Sequence, residues 1–292
     1  MNIKKLFNYI IFLLKKTCFY IRLEKIPGEM KANYKNYIFY SSLKRKYKSF
    51  LKSYIPKTNQ VHEYSNKVWW CWLQGEEKAP ELCKAALKSV RKNLPDKEIM
   101  IITEENYSNY AHFPDFIVKK YKDGKINRTH FSDLLRLELL SSYGGLWIDS
   151  TCFLTENPEY IFKQPLFVFQ NRERGDDSIA ASSWLIASEK NNPIIVLVRD
   201  MIFDWWKKHN HLYHYFLMHF FFTMASNFYK EEWSKVPFYS NLPCHVLQRE
   251  LFDSYDERRF EQIKKMSAVH KLTYKIGNKK TSGSFYEKLL AL

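Results

Sequence analysis

The stretch from Arg128 to Leu154, RTHFSDLLRLELLSSYGGLWIDSTCFL, limits the possible folds of this chain more than any other. Phe131, Leu134, Leu135, Leu139 and Leu140 recur at helical spacing, which predicts a helix with one buried face, capped by Thr129 or Ser132. Asp133 and Arg136 lie one turn apart and so project from one side of that helix. Gly144-Gly145 ends it as a left-handed cap does, and Leu146-Trp147-Ile148 is a short apolar run expected to be a buried strand. Asp149 falls where the strand stops. Ligands of open α/β sheets gather beyond the carboxyl ends of strands, so this acid, with the Asp133/Arg136 face leading to it, marks a candidate site. Taken singly, the same residues also fit a solvated ion pair and a turn-capping Asp.

The flanking chain alternates in kind. Lys67 to Gly75, KVWWCWLQG, reads as a first core strand closed by a turn. Pro80 to Leu94 begins with Pro and places Leu82, Ala86, Leu87 and Val90 on one face, so it is expected to be a helix. Glu98 to Thr103 is the next strand, which gives a right-handed βαβ unit. A short helix is expected at Phe116 to Tyr121. Beyond Asp149, extended runs are expected at Cys152 to Leu154, Pro165 to Gln170 and Ser183 to Ser188, with a charged loop, NRERGDDS, before the last. Helices follow at Asn192 to Lys208, His211 to Tyr229 and Val246 to Tyr255, then an extended SAVHKLTYKI and a helix near Ser284 to Leu290. The whole is an α/β arrangement with a mostly parallel central sheet, over residues 67–292, preceded by a helical N-terminal region over residues 1–66.

Charge and aromatics describe the appendage. The 292 residues carry a formal net charge of +15, from 46 Lys+Arg against 31 Asp+Glu, and 17% are aromatic. Such an excess implies an anionic partner; an acidic membrane leaflet, a phosphorylated substrate and nucleic acid all satisfy it. Leu6 to Leu14 is bracketed by lysine pairs and falls short of the roughly 20 apolar residues of a membrane span. It reads as a basic amphipathic helix on a membrane surface, or as a helix docked on the domain. Lys31 to Lys57, rich in Lys, Tyr and Phe, is a second candidate for anionic contact. No nucleic-acid fold signature accompanies it, and nucleic acid is not an expected partner. The five cysteines lack framework or metal-site spacing and read as reduced thiols of a cytoplasmic protein. His214 and His219 lie five residues apart, not a clean same-face helical spacing, with no acid to complete a ligand set.

Ser132, Asp133, Leu135, Arg136, Tyr143, Gly144, Gly145 and Asp149, together with Trp72, Gln74 and Gly75, form a pattern that resembles the capsular polysaccharide synthesis family of glycosyltransferases. More distantly it is similar to the initiating mannosyltransferases of yeast and the glucosylating toxins of clostridia. The resemblance implies a GT-A-type, Rossmann-like nucleotide-sugar domain. It implies donor contacts from Trp72, Gln74, Gly75, Asp133, Arg136, Trp147, Asp149 and Trp184, with Asp149 and Arg136 catalytic. It also implies Mn²⁺ or Mg²⁺, weakly held because Thr151 stands in place of the motif's second acid, so that Asp149, Thr151 and His270 would be the ligands. A late basic segment, His270, Lys271, Lys275 and Lys279, would return to the diphosphate. His214 replaces an Asp that related sequences often carry before a Tyr-Phe pair. The implied reaction moves a sugar from a nucleotide donor, UDP-linked, to a lipid-linked oligosaccharide for capsule or O-antigen, with retention. Its implied place is the inner face of a bacterial cell membrane. Two other classes fit the residues alone: a catalytically silent membrane-associated scaffold, and a basic aromatic nucleic-acid-binding protein.

Overall fold

Apolar strands alternate with amphipathic helices to build a central five-stranded sheet in this computed structural model, which describes residues 28–56, 65–171 and 177–292. In chain order the elements that matter are α1 (Gly28–Lys46), β1 (Lys67–Cys71), α2 (Glu81–Asn93), β2 (Glu98–Ile102), α3 (Asp115–Lys122) and α4 (Arg128–Tyr143). Then come β3 (Gly145–Ile148), β4 (Cys152–Leu154), β5 (Leu166–Gln170), β6 (Ala181–Ser188), α5 (Pro193–Lys208), α6 (Leu217–Phe228), α7 (Glu257–Met266), β7 (Val269–Lys271) and α8 (Phe285–Ala291). The sheet order is β2-β1-β3-β6-β5. β1 pairs in parallel with β2 and with β3, while β6 runs antiparallel to both β3 and β5. All strands but β6 therefore point the same way, the mostly parallel α/β sheet that the residue pattern implies.

Strand alternation sorts the sheet's side chains onto two buried faces. Trp69, Trp147, Val168 and Ile186 pack on one face with residues of α1, α4, α5 and α6. Val68, Trp70, Leu146, Ile148, Phe167 and Leu185 pack on the other, against Cys83, Leu87 and Val90 of α2. The far side of α2, through Leu82 and Ala86, meets Phe153 of β4, Phe260 and Ile263 of α7, and Phe285 and Leu289 of α8. The late chain thus returns to the sheet and adds β7 to β4 as a small antiparallel pair.

Gly145 must be glycine: its φ is 95°, and a Cβ there would run into the main-chain oxygen of Lys67 on the neighbouring strand. Gly144 lies at φ 68°, with a Cβ position 2.6 Å from the main-chain nitrogen of Lys190. The indole of Trp69 donates to the Gly144 carbonyl at 2.9 Å and pins the turn from β1.

Several boundaries differ from the sequence expectation. The cap of α4 is Asn127, whose side chain accepts from His130 N at 3.0 Å, and not Thr129 or Ser132. Ser132 lies inside the helix and turns its hydroxyl back to the Thr129 carbonyl. The helix expected from His211 starts only at Leu217, and the His214 ring packs against Phe39 and Phe220. The helix from Val246 ends at Arg249, while α7, capped by Asp256, stands in a stretch given no helix from sequence. Residues before the first strand also contribute to the core. Leu43 and Tyr47 are buried in the same cluster as α5 and α6, and the Tyr54 hydroxyl reaches Asp200 at 3.0 Å. Leu6 to Leu14 lies outside the described residues.

Candidate functional site

Because β1 and β3 run in parallel, their carboxyl ends open onto the same side of the sheet. An open cavity of about 270 Å³ sits there. Its floor comes from the residues that leave β1 (Cys71, Trp72, Leu73, Gln74) and β3 (Asp149, Ser150, Thr151); one wall is the first half of α4. Tyr215 and His219 from the α6 side and Lys271 and Tyr274 from the late chain close it. The positive end of the α4 dipole therefore faces the cavity, as suits an anionic ligand.

One chain of charges runs through it. Asp133 Oδ2 meets His130 Nδ1 at 3.3 Å, and Asp133 Oδ1 meets Arg136 Nη1 at 3.2 Å. Arg136 Nη2 donates to Asp149 Oδ1 at 2.9 Å, and the Trp147 indole donates to the same oxygen at 2.9 Å. The guanidinium also lies 4.9 Å from the Trp147 ring centroid, a cation–π contact that fixes its plane. Lys271 Nζ then donates to Asp149 Oδ2 at 2.7 Å and to Thr151 Oγ1 at 2.6 Å. The main chain secures the acid as well, since Asp149 N donates to the Trp184 carbonyl at 2.8 Å.

Charge dominates the titration of this pair. Burial alone would raise the Asp149 pKa, but Lys271 and Arg136 outweigh it and hold the carboxylate below its ordinary value. Burial would lower Lys271, yet Asp149 keeps the ammonium above the usual lysine value. His219 is the contrary case: burial pushes it down to about 4, so the ring is neutral at pH 7. Its Nδ1, the Trp72 indole nitrogen and Arg136 Nε are buried without a partner among the described residues, an arrangement open to a polar ligand. Burial lifts the Cys71 thiol to about 12, which makes it an inert wall group.

Of the residues named from sequence, Trp72, Gln74, Asp133, Arg136, Trp147, Asp149 and Thr151 meet in this cavity. Three do not. Gly75 sits behind the lining, where its N–H closes a turn onto the Trp72 carbonyl at 2.9 Å. Trp184 points to the opposite face of the sheet, stacked on Phe169; its neighbour Ser183 lines the cavity in its place. His270 is fully buried on the far side of β7, its Nε2 3.2 Å from Thr155 Oγ1, and burial pushes its pKa down to about 4. Successive residues of a strand face opposite ways, so His270 and Lys271 cannot both reach Asp149, and it is Lys271 that does. No local pattern in the sequence marks Tyr215 or Tyr274, and His219, weighed from sequence only as a metal ligand, lines the cavity as a neutral ring.

The expected Mn²⁺ or Mg²⁺ site does not fit this donor set. Such ions take several oxygen ligands, whereas each oxygen of Asp149 and the hydroxyl of Thr151 already receive a hydrogen bond, in part from two fixed cations. No group of three His, Cys, Asp or Glu side chains suited to a metal occurs among the described residues.

An α/β sheet with an arginine-clamped carboxylate at its strand ends defines a pocket for a polar, anionic ligand. A family model described as capsular polysaccharide synthesis protein matches residues 21–289, and the chain belongs to that family. O-glycosyltransferase braB of Annulohypoxylon truncatum is 28% identical over 148 residues, 44% of this chain and 34% of that protein, so the chain spans about a third of that relative's length. Among solved structures the chain is similar to PaToxG Glycosyltransferase, at 16% identity over 80% of this chain and 86% of that chain, with a TM-score of 0.40. It is similar to galactosyltransferase LgtC in complex with donor and acceptor sugar analogs, at 12% identity, 77% and 95% coverage and a TM-score of 0.40. The apo-form glycosyltransferase GlyE in Streptococcus pneumoniae TIGR4 gives 10%, 78% and 59% coverage, and 0.45.

Proposed function

We propose that this protein is a GT-A-type glycosyltransferase that moves a sugar from a nucleotide donor, UDP-linked, to a lipid-linked oligosaccharide of a bacterial capsule or O-antigen. The observation that carries the proposal is the joining of Asp133, Arg136 and Asp149 in one cavity at the ends of β1 and β3. A rigid guanidinium fork flanked by carboxylates suits a polyol, with Asp accepting from hydroxyls and Arg donating. The Trp72 ring, held edge-on to Tyr274 with centroids 5.5 Å apart, offers an aromatic wall for a base. Family membership and a relative that is an O-glycosyltransferase support the same reading.

Transfer breaks the anomeric C–O bond while negative charge gathers on the departing diphosphate, and fixed positive groups stabilise that charge. Arg136 and Lys271 are such groups. The two carboxylates of the cavity are both engaged with cations, so neither is free to act as an inverting-type base; this favours retention. Membrane association at the inner face rests on the exposed Tyr37 and Ile38 of α1 and on a hollow where Lys44, Arg45, Lys48 and Lys52 surround Leu51 and Phe228. No helix among the described residues is long and apolar enough to cross a membrane.

A screen of donor hydrolysis with UDP-, GDP- and CMP-sugars tests the proposal, with the anomer of the released sugar read by NMR. Hydrolysis of one donor class with retained configuration is expected. Hydrolysis of none would overturn the reading.

A further inference from the structure

Lys271 occupies the position that a divalent ion would need. Its Nζ lies 2.7 Å from Asp149 Oδ2 and 2.6 Å from Thr151 Oγ1, the same two side chains that an ion bridging positions 149 and 151 would bind. The other oxygen of Asp149 is taken by Arg136 and Trp147. Charge matches as well. Two carboxylates balance a dication; with Thr151 in place of the second acid, one carboxylate balances one ammonium. The amine is held by the scaffold and is not a wandering surface lysine. β7 pairs with β4 so that Lys271 stands opposite Cys152, and Leu272 N donates to the Thr151 carbonyl at 2.9 Å. The Lys271 side chain is 18% exposed and lines the cavity.

We infer that sugar transfer here needs no divalent ion, and that Lys271 Nζ takes the ion's place by bridging Asp149 and Thr151 and meeting the donor diphosphate. The inference rests on the glycosyltransferase reading above. As the anomeric C–O bond breaks, its electron pair stays on the diphosphate oxygen. The acceptor hydroxyl oxygen bonds to the anomeric carbon, and its proton passes to the departing nucleoside diphosphate. An ammonium has three donors; two are engaged with Asp149 and Thr151, which leaves the third for that diphosphate. A preorganised cation aimed at developing charge supplies the stabilisation usually assigned to a metal.

Calorimetry of the full chain with UDP, in EDTA and in excess Mn²⁺, tests this. Wild-type affinities in the two buffers should agree within about twofold, and donor-sugar hydrolysis should persist in EDTA. Lys271→Ala should weaken UDP at least about tenfold while leaving uridine unaffected, because only the diphosphate loses a charged contact. Lys271→Arg should recover most of the loss. Binding and hydrolysis that vanish in EDTA would overturn the inference while leaving a glycosyltransferase in place, and this wild-type comparison stands even if Lys271→Ala fails to fold. No heat from UDP, GDP or CMP in either buffer would overturn the glycosyltransferase reading and this inference with it.

Discussion

Trp147 shows how much of the site depends on a single side chain that does not itself carry charge. Its indole N–H fixes Asp149 Oδ1 at 2.9 Å and its ring orients Arg136. Trp147→Phe keeps an aromatic ring, smaller than the indole, and removes the donor, so donor hydrolysis should fall about tenfold with the fold intact, the cost of one hydrogen bond to a charged group. His270, like His219, makes stability depend on pH. Its folded pKa of about 4 lies below the ordinary 6.5, so between these values the unfolded chain binds a proton that the folded chain refuses. Stability therefore falls as pH drops through that window and levels off below it. Urea denaturation at pH 7 and pH 5 should show wild type losing about 2 kcal/mol from this group, a loss absent in His270→Asn. From sequence, His270 and Lys271 were both candidates for the diphosphate. Only the β4–β7 register tells them apart, and that register is a contact between segments far apart in the chain.

At the scale of elements, the helix, glycine turn and strand from Arg128 to Ile148 form the rigid unit that sets Asp149 beside Arg136. Gly145→Ala should therefore cost about 3 kcal/mol or more, since it adds strain at positive φ to a clash with the β1 backbone; thermal melting checks it. Asn127→Ala should cost about 1 kcal/mol through loss of the α4 cap. This unit was legible because its signals are local: helical spacing, paired glycines, and a short apolar run. Where local signals misled, a competing contact explains it. His211 to Phe216 has helix-compatible composition, yet the His214 ring is drawn into the aromatic cluster of Phe39 and Phe220 and the helix starts late. Trp184 shares a strand with the site, but its ring stacks on Phe169 in the cluster that holds its neighbour Leu185, against the alternation of the strand, while Ser183 takes the wall.

Across the whole molecule, the core draws on residues before the first strand as well as on the sheet and its helices. Composition suggested a basic appendage, and it concealed Leu43 and Tyr47, which face inward from a stretch crowded with lysine. Leu43→Ala should destabilise the entire protein by about 3 kcal/mol, as for any buried leucine; a removable appendage would show no change. The outer face of the same helix should bind vesicles containing phosphatidylserine and release them at high salt, read by sedimentation.

The proposed function requires the Asp149 carboxylate between Arg136 and Lys271 to serve an activated sugar. The most direct measurement is the rate of nucleotide-sugar hydrolysis by Asp149→Asn beside wild type, with a thermal melt of each to confirm folding. The expected result is a rate lower by about a hundredfold or more in a protein that still melts cooperatively. A folded Asp149→Asn that turns over at the wild-type rate would contradict it.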